Sequence, residues 1–407
     1  MMDRLDRQIL KAVIGELGGD LLSRISDPAD QAKIVMARFM LAHAVARQQA
    51  KADGSTAGEI AALAETMAQE QAILAENVPS STQLLPMNGA SLTAYLRATL
   101  DCPSLAVTDV CALLGGYSKQ TYLLTLSGAD RFDNALVLRR DLEGSPVEVR
   151  AADEYPVIRL MHDRGLPVPE PVAVDSSPPF GGTLLVMRRA PGQAAFDATG
   201  QFVAGRGRDA ALALARVLAQ IHATPVAALG LSSKLATLPL KEHVRRQIKA
   251  FEDQWERRHA SPSPVLSAAF AWLFANVPDG GDPALVHGDA SLRNLLIHDG
   301  RESAMLDWEL SHVGDPAEDL GYSRSDIERA MPWDEFMAEY AAHGGRPYDP
   351  ATSDYYGIFG AVRNCVFAQS CLHDLLQADQ PALRFGYGGL LLGRPLLQNI
   401  ADKLSLR

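Results

Sequence analysis

The sequence is poor in cysteine and in long apolar runs. Its 407 residues include four cysteines, and no two of them form a CxxC pair. Their spacing suits neither a zinc site nor a disulfide framework, and unpaired thiols in a chain of this length fit a reducing compartment. The apolar stretch at residues 34–46 is interrupted by Arg38 and His43 and is too short to span a bilayer. The N-terminus lacks the apolar core and cleavage pattern of a signal peptide, so we expect a cytoplasmic protein.

Basic residues are also fewer than acidic residues. Lys and Arg total 38 against 49 Asp and Glu, which gives a net charge of −11. A chain with this balance repels phosphate backbones and anionic lipids, so we expect no nucleic acid and no membrane among its primary partners. The hydrophobic content of 47 % is that of a globular protein. Because one hydrophobic core rarely grows beyond about 250–300 residues, we expect two or three structural units.

The first part of the chain is predicted to be helical. Residues 1–77 are dominated by Ala, Leu, Glu, Gln and Met, which favour helices. Between Asp30 and Gln49, apolar residues recur every three or four positions, a pattern typical of an amphipathic helix. Pro, Ser and Asn are concentrated in residues 77–91, which we interpret as a linker. We therefore assign residues 1–88 to a helical extension, which we expect to pack on the rest of the chain or to form a homodimer.

Strands come before helices in the remainder of the chain. Helices are predicted at Leu92–Leu100 and Val147–Arg164, and strands at Val107–Leu114, Thr121–Leu126, Ala135–Arg140, Pro167–Val174 and Thr183–Met187. From Arg208 onward helices dominate, interrupted by one short apolar cluster at residues 284–307. This order predicts an α+β protein with a small sheet lobe at residues 89–190 and a larger helical lobe at residues 191–407.

Chemistry-bearing side chains are concentrated in the segment LVHGDASLRNLLIHDGRESAMLDWELSHVGDPAEDL at residues 285–320. Asp289 is followed five residues later by Asn294, and Asp307 comes thirteen residues after Asn294, at the end of a short apolar run. The two short strands between Asn294 and Asp307 predict a small hairpin with these side chains at its ends. Two carboxylates and an amide at one point suit a hydroxyl nucleophile and Mg²⁺-bound phosphates.

HGDASLRN followed by LDWE resembles the catalytic and metal-binding segments of the aminoglycoside phosphotransferase and choline kinase group. The members of this group have a two-lobe, protein-kinase-like fold. The resemblance implies that Asp289 is the catalytic base and that Asn294 and Asp307 bind Mg²⁺. Trp308 and Glu309 stand where protein kinases have Phe-Gly, so a flip of that segment is not implied.

The sequence LLGGYSKQTYLLTL resembles the glycine-rich phosphate loop of the same group. The resemblance implies that Gly115, Gly116 and Ser118 bind the nucleotide phosphates, since glycines let backbone amides approach phosphate closely. A Gly-Gly pair is also typical of an ordinary hairpin turn. TLLVMRRAPG resembles the strand and hinge that hold adenine, which places Met187 in the nucleotide pocket, although a methionine there is equally consistent with a core position.

The strand ALVLRRDL resembles the one that carries the phosphate-binding lysine of kinases, and Arg139 stands at the lysine position. Strand alternation places Val137 and Arg139 on one face and Arg140 on the other. A guanidinium still neutralises phosphate, with a different geometry. The resemblance implies Glu154 as the partner carboxylate of Arg139, and Glu148 is the local competitor.

Four charged or polar residues near these motifs have structural interpretations. Lys119 follows the glycines, and we interpret it as a solvated turn lysine; the alternative is donation to the β- or γ-phosphate, which would compensate for the arginine. His287 is expected to brace the catalytic loop. Asp315 and Asp319 are expected to hold loop and helix backbone.

The resemblance implies an ATP- and Mg²⁺-dependent phosphotransferase that acts on a small-molecule hydroxyl. ALVLRR, LDWELSHVGDPAEDL and VPVPEPV are most similar to bacterial phosphotransferases related to the kinase domains fused to acyl-CoA dehydrogenases in animals, which implies a hydroxyacyl-CoA-type acceptor. Arg363, Arg384 and Arg394 are candidate contacts for such an anion, although a surface position is the simpler interpretation of each. One alternative is an aminoglycoside O-phosphotransferase. Another is a catalytically silent nucleotide-binding scaffold, which the arginine at position 139 motivates.

Overall fold

The computed structural model describes most of the chain after residue 83. The described residues are 84–113, 118–142, 145–196, 202–203, 205–230, 235, 237–259, 262–279, 281–347, 349–377, 389 and 392–405. Gly115, Gly116 and nearly all of the predicted helical extension at residues 1–88 lie outside these ranges.

The smaller lobe is a five-stranded antiparallel sheet of order β1-β2-β3-β5-β4 with a helix against each face. Its elements are α1 (Gly89–Thr99), β1 (Ala106–Leu113), β2 (Lys119–Ser127), β3 (Ala135–Asp141), α2 (Ala151–Asp163), β4 (Pro171–Asp175) and β5 (Leu184–Arg188). Leu136 and Leu138 pack in the same apolar cluster as α1, whereas Val137 packs in the cluster that contains α2. This alternation fixes which β3 side chains meet α2.

The register of β3 places its two arginines on opposite faces, as predicted. Arg139 is paired with Thr121 of β2 and reaches Glu154 on α2. Arg140 turns the other way, where it donates hydrogen bonds to Gln120 at 2.8 Å and to the carbonyl oxygen of Phe180 at 3.0 Å. Arg139 is therefore the arginine that faces α2.

Two predicted boundaries are wrong. Helix α2 begins at Ala151, four residues after the predicted start, because the side chain of Asp141 accepts a hydrogen bond from the Ala151 amide at 2.9 Å and fixes the first turn there. Strand β4 begins at Pro171 instead of Pro167. The intervening segment contains prolines at every second position, and these have no N–H to donate to a sheet.

The larger lobe is mainly helical, which confirms the α+β prediction. Its elements are α3 (Arg206–His222), α4 (Leu240–Arg257), α5 (Pro264–Ala275), β6 (Ala284–Val286), β7 (Leu295–His298), β8 (Arg301–Met305), β9 (His312–Gly314), α6 (Pro316–Ala330), α7 (Trp333–Ala342), α8 (Pro350–Gln377) and α9 (Gly393–Ser405). None of the described helices combines the length and apolar character needed to cross a bilayer.

Two short strand pairs carry the predicted site segment. Strand β6 pairs with β9, and β7 with β8 in the predicted hairpin. The β7–β8 hairpin is attached to the sheet lobe at two points. The Met305 amide donates to Pro167 O, in the segment before β4, at 2.7 Å, and Ile297 exchanges backbone hydrogen bonds with Gln193, which follows β5. The site segment is therefore fixed next to the sheet lobe.

Candidate active site

The chain makes a tight turn at Gly288 directly after β6. The φ of Gly288 is +80°, in the left-handed region. A Cβ at this position would lie 2.3 Å from the carbonyl oxygen of Leu310. Glycine alone tolerates both constraints. The turn therefore requires the glycine that precedes Asp289.

Asp319, at the start of α6, holds the backbone of this turn. Its buried Oδ2 and Oδ1 atoms accept hydrogen bonds from the amides of His287 at 2.7 Å and Gly288 at 2.8 Å. Burial alone would raise the pKa of Asp319, but the His222 ring nitrogen 3.0 Å away and the other partners lower it. Asp315 caps the first turn of α6 with its own side chain. Both residues hold backbone, as predicted.

His287 braces the loop that carries Asp289, which confirms that prediction. Its Nδ1 accepts a hydrogen bond from the Asp289 amide at 3.2 Å, and its Nε2 lies 3.0 Å from the carbonyl oxygen of Leu306. The accepting role of Nδ1 requires the proton to be on Nε2 in the neutral ring. The indole of Trp308 lies against the imidazole with a centroid distance of 4.8 Å. His287 therefore joins the two segments that carry Asp289 and Asp307.

Asn294 connects the other predicted residues of this segment. Its Nδ2 donates to Oδ2 of Asp289 at 2.8 Å and to the carbonyl oxygen of Asp289 at 3.0 Å. Its own carbonyl oxygen accepts a hydrogen bond from the Leu306 amide at 2.7 Å, one residue before Asp307. The structure thus brings together the three residues that the sequence spacing singles out.

Asp307 is paired with Arg139 across the two lobes. Arg139 Nη2 lies 2.6 Å from Asp307 Oδ1, and the Asp307 side chain keeps 36 % of its surface exposed. Its φ of +67° is in the left-handed region, which is uncommon for aspartate. Burial opposes ionisation of Asp307, but the Arg139 guanidinium outweighs this effect and lowers its pKa. Asp307 is therefore a carboxylate at neutral pH.

Arg139 is held on its other side by Glu154. Its Nη1 lies 2.8 Å from Glu154 Oε2, and the Glu154 side chain is fully buried. Burial raises the pKa of Glu154 to about 7, against the opposing charges of Arg139 and Lys119. Glu148 points elsewhere and pairs with Arg257 at 2.7 Å. Of the two glutamates considered, Glu154 is the one that meets Arg139.

Lys119 is buried, so its interpretation as a solvated turn lysine is wrong. Its Nζ donates to Val149 O at 2.6 Å and to Glu309 Oε2 at 3.1 Å. It also lies 3.6 Å from carboxylate oxygens of both Asp141 and Glu154. The reason for the error is that Lys119 is the first residue of β2, on the face that packs toward α2, and does not belong to the exposed turn.

Glu309 is the site residue that the sequence analysis missed. Its two carboxylate oxygens lie 2.8 and 2.6 Å from Ser118 Oγ, and the pair is buried. Burial and then the charge of Asp307 raise the pKa of Glu309. Nothing in the sequence pairs Glu309 with Lys119 except that the two side chains carry opposite charges. Their proximity follows only from the fold.

A cavity of about 330 Å³ opens beside Asp289. It is lined by Asp289, Ala290, Ser291, Arg293, Asn294, Tyr322, Ser323, Ser325 and Asp326. The guanidinium of Arg293 lies over the ring of Phe196 at 4.2 Å from the centroid. The lining is thus polar and combines hydroxyl groups with one amide, two carboxylates and one guanidinium.

A sequence model described as the phosphotransferase enzyme family matches residues 109–356, more than half of the chain. The chain belongs to the phosphotransferase enzyme family. The matched range contains the sheet, the turn at Gly288 and the residues Asp289, Asn294 and Asp307.

Curated relatives of this phosphotransferase are much longer proteins. The chain is 32 % identical to acyl-CoA dehydrogenase family member 11 of Gallus gallus over 214 residues, which cover 51 % of this chain and 26 % of that protein. It is 28 % identical to acyl-CoA dehydrogenase family member 10 of Mus musculus, covering 60 % of this chain and 22 % of that protein. The chain thus spans about a quarter of the length of these relatives.

Solved structures with similar folds include other phosphotransferases. A protein of Ralstonia eutropha described as a candidate aminoglycoside phosphotransferase is 22 % identical, with a TM-score of 0.57 and coverage of 77 % of this chain and 97 % of that one. The aminoglycoside phosphotransferase APH(4)-Ia, bound to AMP-PNP and hygromycin B, is 17 % identical with a TM-score of 0.53, covering 77 % and 98 %. These similarities confirm the predicted protein-kinase-like fold.

The donor set of the phosphotransferase fits Mg²⁺. Asp307 offers a charged carboxylate that is partly open to solvent. The two hydrogen bonds from Asn294 Nδ2 to Asp289 fix the amide, so that Asn294 Oδ1 is on the side away from Asp289. Carboxylate and amide oxygens are the ligands that Mg²⁺ prefers in proteins. Asn294 and Asp307 are thus suited to hold the ion.

Met187 and Arg363 of the phosphotransferase, which are predicted to contact the nucleotide and an anionic acceptor, are both buried. Met187 on β5 is buried beside Val137, consistent with both the pocket and the core interpretation. Arg363 is 2 % exposed, so its simpler interpretation as a surface residue is wrong. It binds the carbonyl oxygen of Gly288 and lies 3.3 Å from Glu318. It therefore supports the loop that carries Asp289.

The structure gives no support for the remaining described arginine proposed for an anionic acceptor, Arg394. Arg394 is exposed on α9, and Arg384 lies outside the described residues. Arg293, which lines the cavity beside Asp289, is the arginine that the structure offers in their place.

Proposed function

We propose that the chain is an ATP- and Mg²⁺-dependent phosphotransferase that transfers the γ-phosphate to a hydroxyl group of a small molecule. The observation that supports it most strongly is the convergence of Asp289, Asn294 and Asp307. Asp289 and Asn294 are hydrogen-bonded and line the cavity, and the amide of Leu306, next to Asp307, donates to the Asn294 carbonyl oxygen. A carboxylate base next to oxygen ligands for a phosphate-bound metal is the arrangement that phosphoryl transfer requires.

Asp289 is the proposed catalytic base. Asn294 holds one of its carboxylate oxygens at 2.8 Å, which orients the group toward the cavity. Asp289 accepts the proton of the acceptor hydroxyl as the hydroxyl oxygen bonds to the γ-phosphorus. The bond between that phosphorus and the β–γ bridging oxygen breaks, and ADP leaves. A positioned base of this kind contributes roughly 10²- to 10⁴-fold to the rate.

The nucleotide is proposed to bind between the sheet and the segment that carries Asp307. Arg139, oriented by Glu154, contacts the α- and β-phosphates, and Gly115, Gly116 and Ser118 contact the phosphates through the glycine-rich turn. When bound at Asn294 and Asp307, Mg²⁺ neutralises charge on the β- and γ-phosphates. Catalysis is then mostly positioning and charge stabilisation.

A hydroxyacyl-CoA-type metabolite is the proposed acceptor class. The similarity to acyl-CoA dehydrogenase family members supports it. The cavity lining also supports it: Asp326 is paired with Arg329 at 3.1 Å, which leaves Asp289 and Arg293 as its remaining charges. A polycationic aminoglycoside would need a more acidic lining than this one, because each ammonium group must be neutralised when it leaves water.

Radiolabelled ATP tests this proposal against its alternatives. The full chain is incubated with MgATP and a panel of 3- and 4-hydroxyacyl-CoA esters, the matching free hydroxy acids and several aminoglycosides, with Asp289→Asn as the inactive control. Phosphorylation of the CoA esters, lost in the variant, supports the proposal. Phosphorylation of aminoglycosides alone would establish the antibiotic alternative.

The same samples test the alternative that the chain is a catalytically silent nucleotide-binding scaffold. Nucleotide binding without transfer to any hydroxyl compound of the panel would favour it over the enzyme. The intact set of Asp289, Asn294 and Asp307 argues for turnover, because a scaffold has no need of a base beside the acceptor cavity.

A further inference from the structure

Glu309 joins the two lobes through buried polar contacts. It lies in the 3₁₀ turn Trp308–Leu310, two residues after Asp307. Its Oε2 atom lies 2.6 Å from Ser118 Oγ and 3.1 Å from Lys119 Nζ. Ser118 precedes β2 and Lys119 begins it, so the contact attaches the start of this strand to the segment that carries Asp307.

This contact between the lobes is buried, so forming it costs desolvation free energy. Lys119 is 3 % exposed and Glu309 is 9 % exposed. Both charges lose most of their hydration, and the carboxylates of Glu309 and Asp307 both lie near the same guanidinium, that of Arg139, at 3.9 and 2.6 Å. An apolar contact of the same size would give similar stability without this desolvation cost. Stability alone therefore does not explain why this contact is made by charged side chains.

Lys119 links Glu309 to the residues around Arg139. Its Nζ lies 3.6 Å from Glu154 Oε1, while the other oxygen of Glu154 lies 2.8 Å from Arg139. Arg139 also lies 3.9 Å from Glu309 and 2.6 Å from Asp307. The four side chains beside Asp307 thus form a closed group in which each carboxylate contacts both cations.

We propose that Glu309 and Lys119 are positioning residues that hold the phosphate-binding side of the sheet in register with Asp307. This inference rests on the proposed function. The two residues act through Glu154 and Arg139, and they need no contact with nucleotide or metal. A nucleotide held by the sheet presents its phosphates to Asp307 only while this connection is intact.

Cooperative binding of nucleotide and Mg²⁺ is the measurable consequence. The dissociation constant of AMP-PNP is measured by calorimetry on the full chain, with and without Mg²⁺, and the ratio of the two values is the coupling factor. In Glu309→Gln and Lys119→Met, we expect this factor to fall at least about fivefold, within the usual range of couplings between sites. The affinity for metal-free AMP-PNP should change little. General destabilisation of the fold would instead lower the affinity both with and without Mg²⁺.

Glu302→Gln is the matched control. Glu302 lies on β8 and pairs with Arg216 on α3 at 2.7 Å, so the substitution removes a partly buried charge outside the proposed group. It should leave the coupling factor unchanged. The double variant of Glu309 and Lys119 should lose no more coupling than the more severe single variant, because the two residues act as one unit.

The outcomes separate this inference from the function on which it rests. If Mg²⁺ does not tighten AMP-PNP binding in the unmodified chain, the proposed function fails. If it does, and the two variants keep the full coupling factor, only the positioning role is overturned. Should one of the two variants lose its cooperative melting transition, the other decides. Should both lose it, Glu309→Asp decides, because it keeps the charge and shortens the side chain that reaches Lys119: a reduced factor supports the role and an unchanged factor refutes it.

Discussion

Arg139 Nη2 lies 2.6 Å from Asp307 Oδ1, so the proposed phosphate-binding cation is bonded to the proposed metal ligand. Each partner neutralises the other across the junction of the two lobes. A magnesium-bound nucleotide offers phosphate to the guanidinium and a cation to the carboxylate. The ion pair therefore keeps both groups charged and close together until oppositely charged ligands replace it.

Arg139 and its neighbour Arg140 provide a test with an internal control. Arg139→Ala should lower kcat/KM for ATP by at least about 100-fold, the effect typical of removing one preorganised donor to developing charge. Arg140→Ala should change it little, because Arg140 faces Gln120 and Phe180 on the opposite side of the sheet. Steady-state kinetics with varied ATP measures both. Greater sensitivity at Arg140 would contradict the assignment of the phosphate contact.

Asp289 and Asp307 should fail in different ways when replaced. Asp289→Asn should lose at least about 100-fold in turnover, in the range of general-base catalysis, while nucleotide still binds. Asp307→Ala should abolish Mg²⁺-dependent nucleotide binding, because it removes the charged metal ligand. Turnover assays and calorimetry separate the two effects. Asp299→Asn, in an exposed turn, is the control for an aspartate outside the site. Near-normal phosphorylation by either site variant would refute the mechanism.

The sequence predicts the part of the site whose residues lie close together along the chain. Asn294 lies five residues from Asp289, and a two-strand hairpin returns the chain to Asp307, so their convergence follows from short-range geometry. The contact between Lys119 and Glu309 spans 190 residues and depends on how the sheet is placed on the helical lobe. Charge and spacing alone gave no reason to pair these two, and the lysine was predicted at the surface for that reason.

Arg363 illustrates the same limit and leads to a stability prediction. It reaches the loop from α8, binding the Gly288 carbonyl and Glu318 beneath the turn. Arg363→Met should lower the free energy of unfolding by about 3 kcal/mol, because it leaves a buried carboxylate without one of its partners. Urea denaturation measures this. Arg208→Met, which removes an exposed pair with Glu335, should cost less than about 1 kcal/mol. Equal stability of the two variants would show that Arg363 does not support the loop.

The N-terminal extension gives the last prediction. The amphipathic helix predicted between Asp30 and Gln49 must bury its apolar face against another surface. A bundle of three short helices would have only a small core and would be marginal alone. We therefore expect the extension to pack on the phosphotransferase body or to form a dimer. Removing residues 1–83 tests this and retains Asn88, whose side chain accepts a hydrogen bond from the Ser91 amide and caps α1.

The truncated chain should show one of two changes. If the extension forms a dimer, the mass measured by light scattering should fall to that of a monomer. If it packs on the body, the melting temperature should fall, by roughly 2–4 °C for each kcal/mol of lost stability in a domain of 150–250 residues. Either change follows from the apolar face of the predicted helix losing its partner surface. A truncated chain with unchanged oligomeric state, unchanged melting and full nucleotide binding would identify the extension as an independent unit and contradict the prediction.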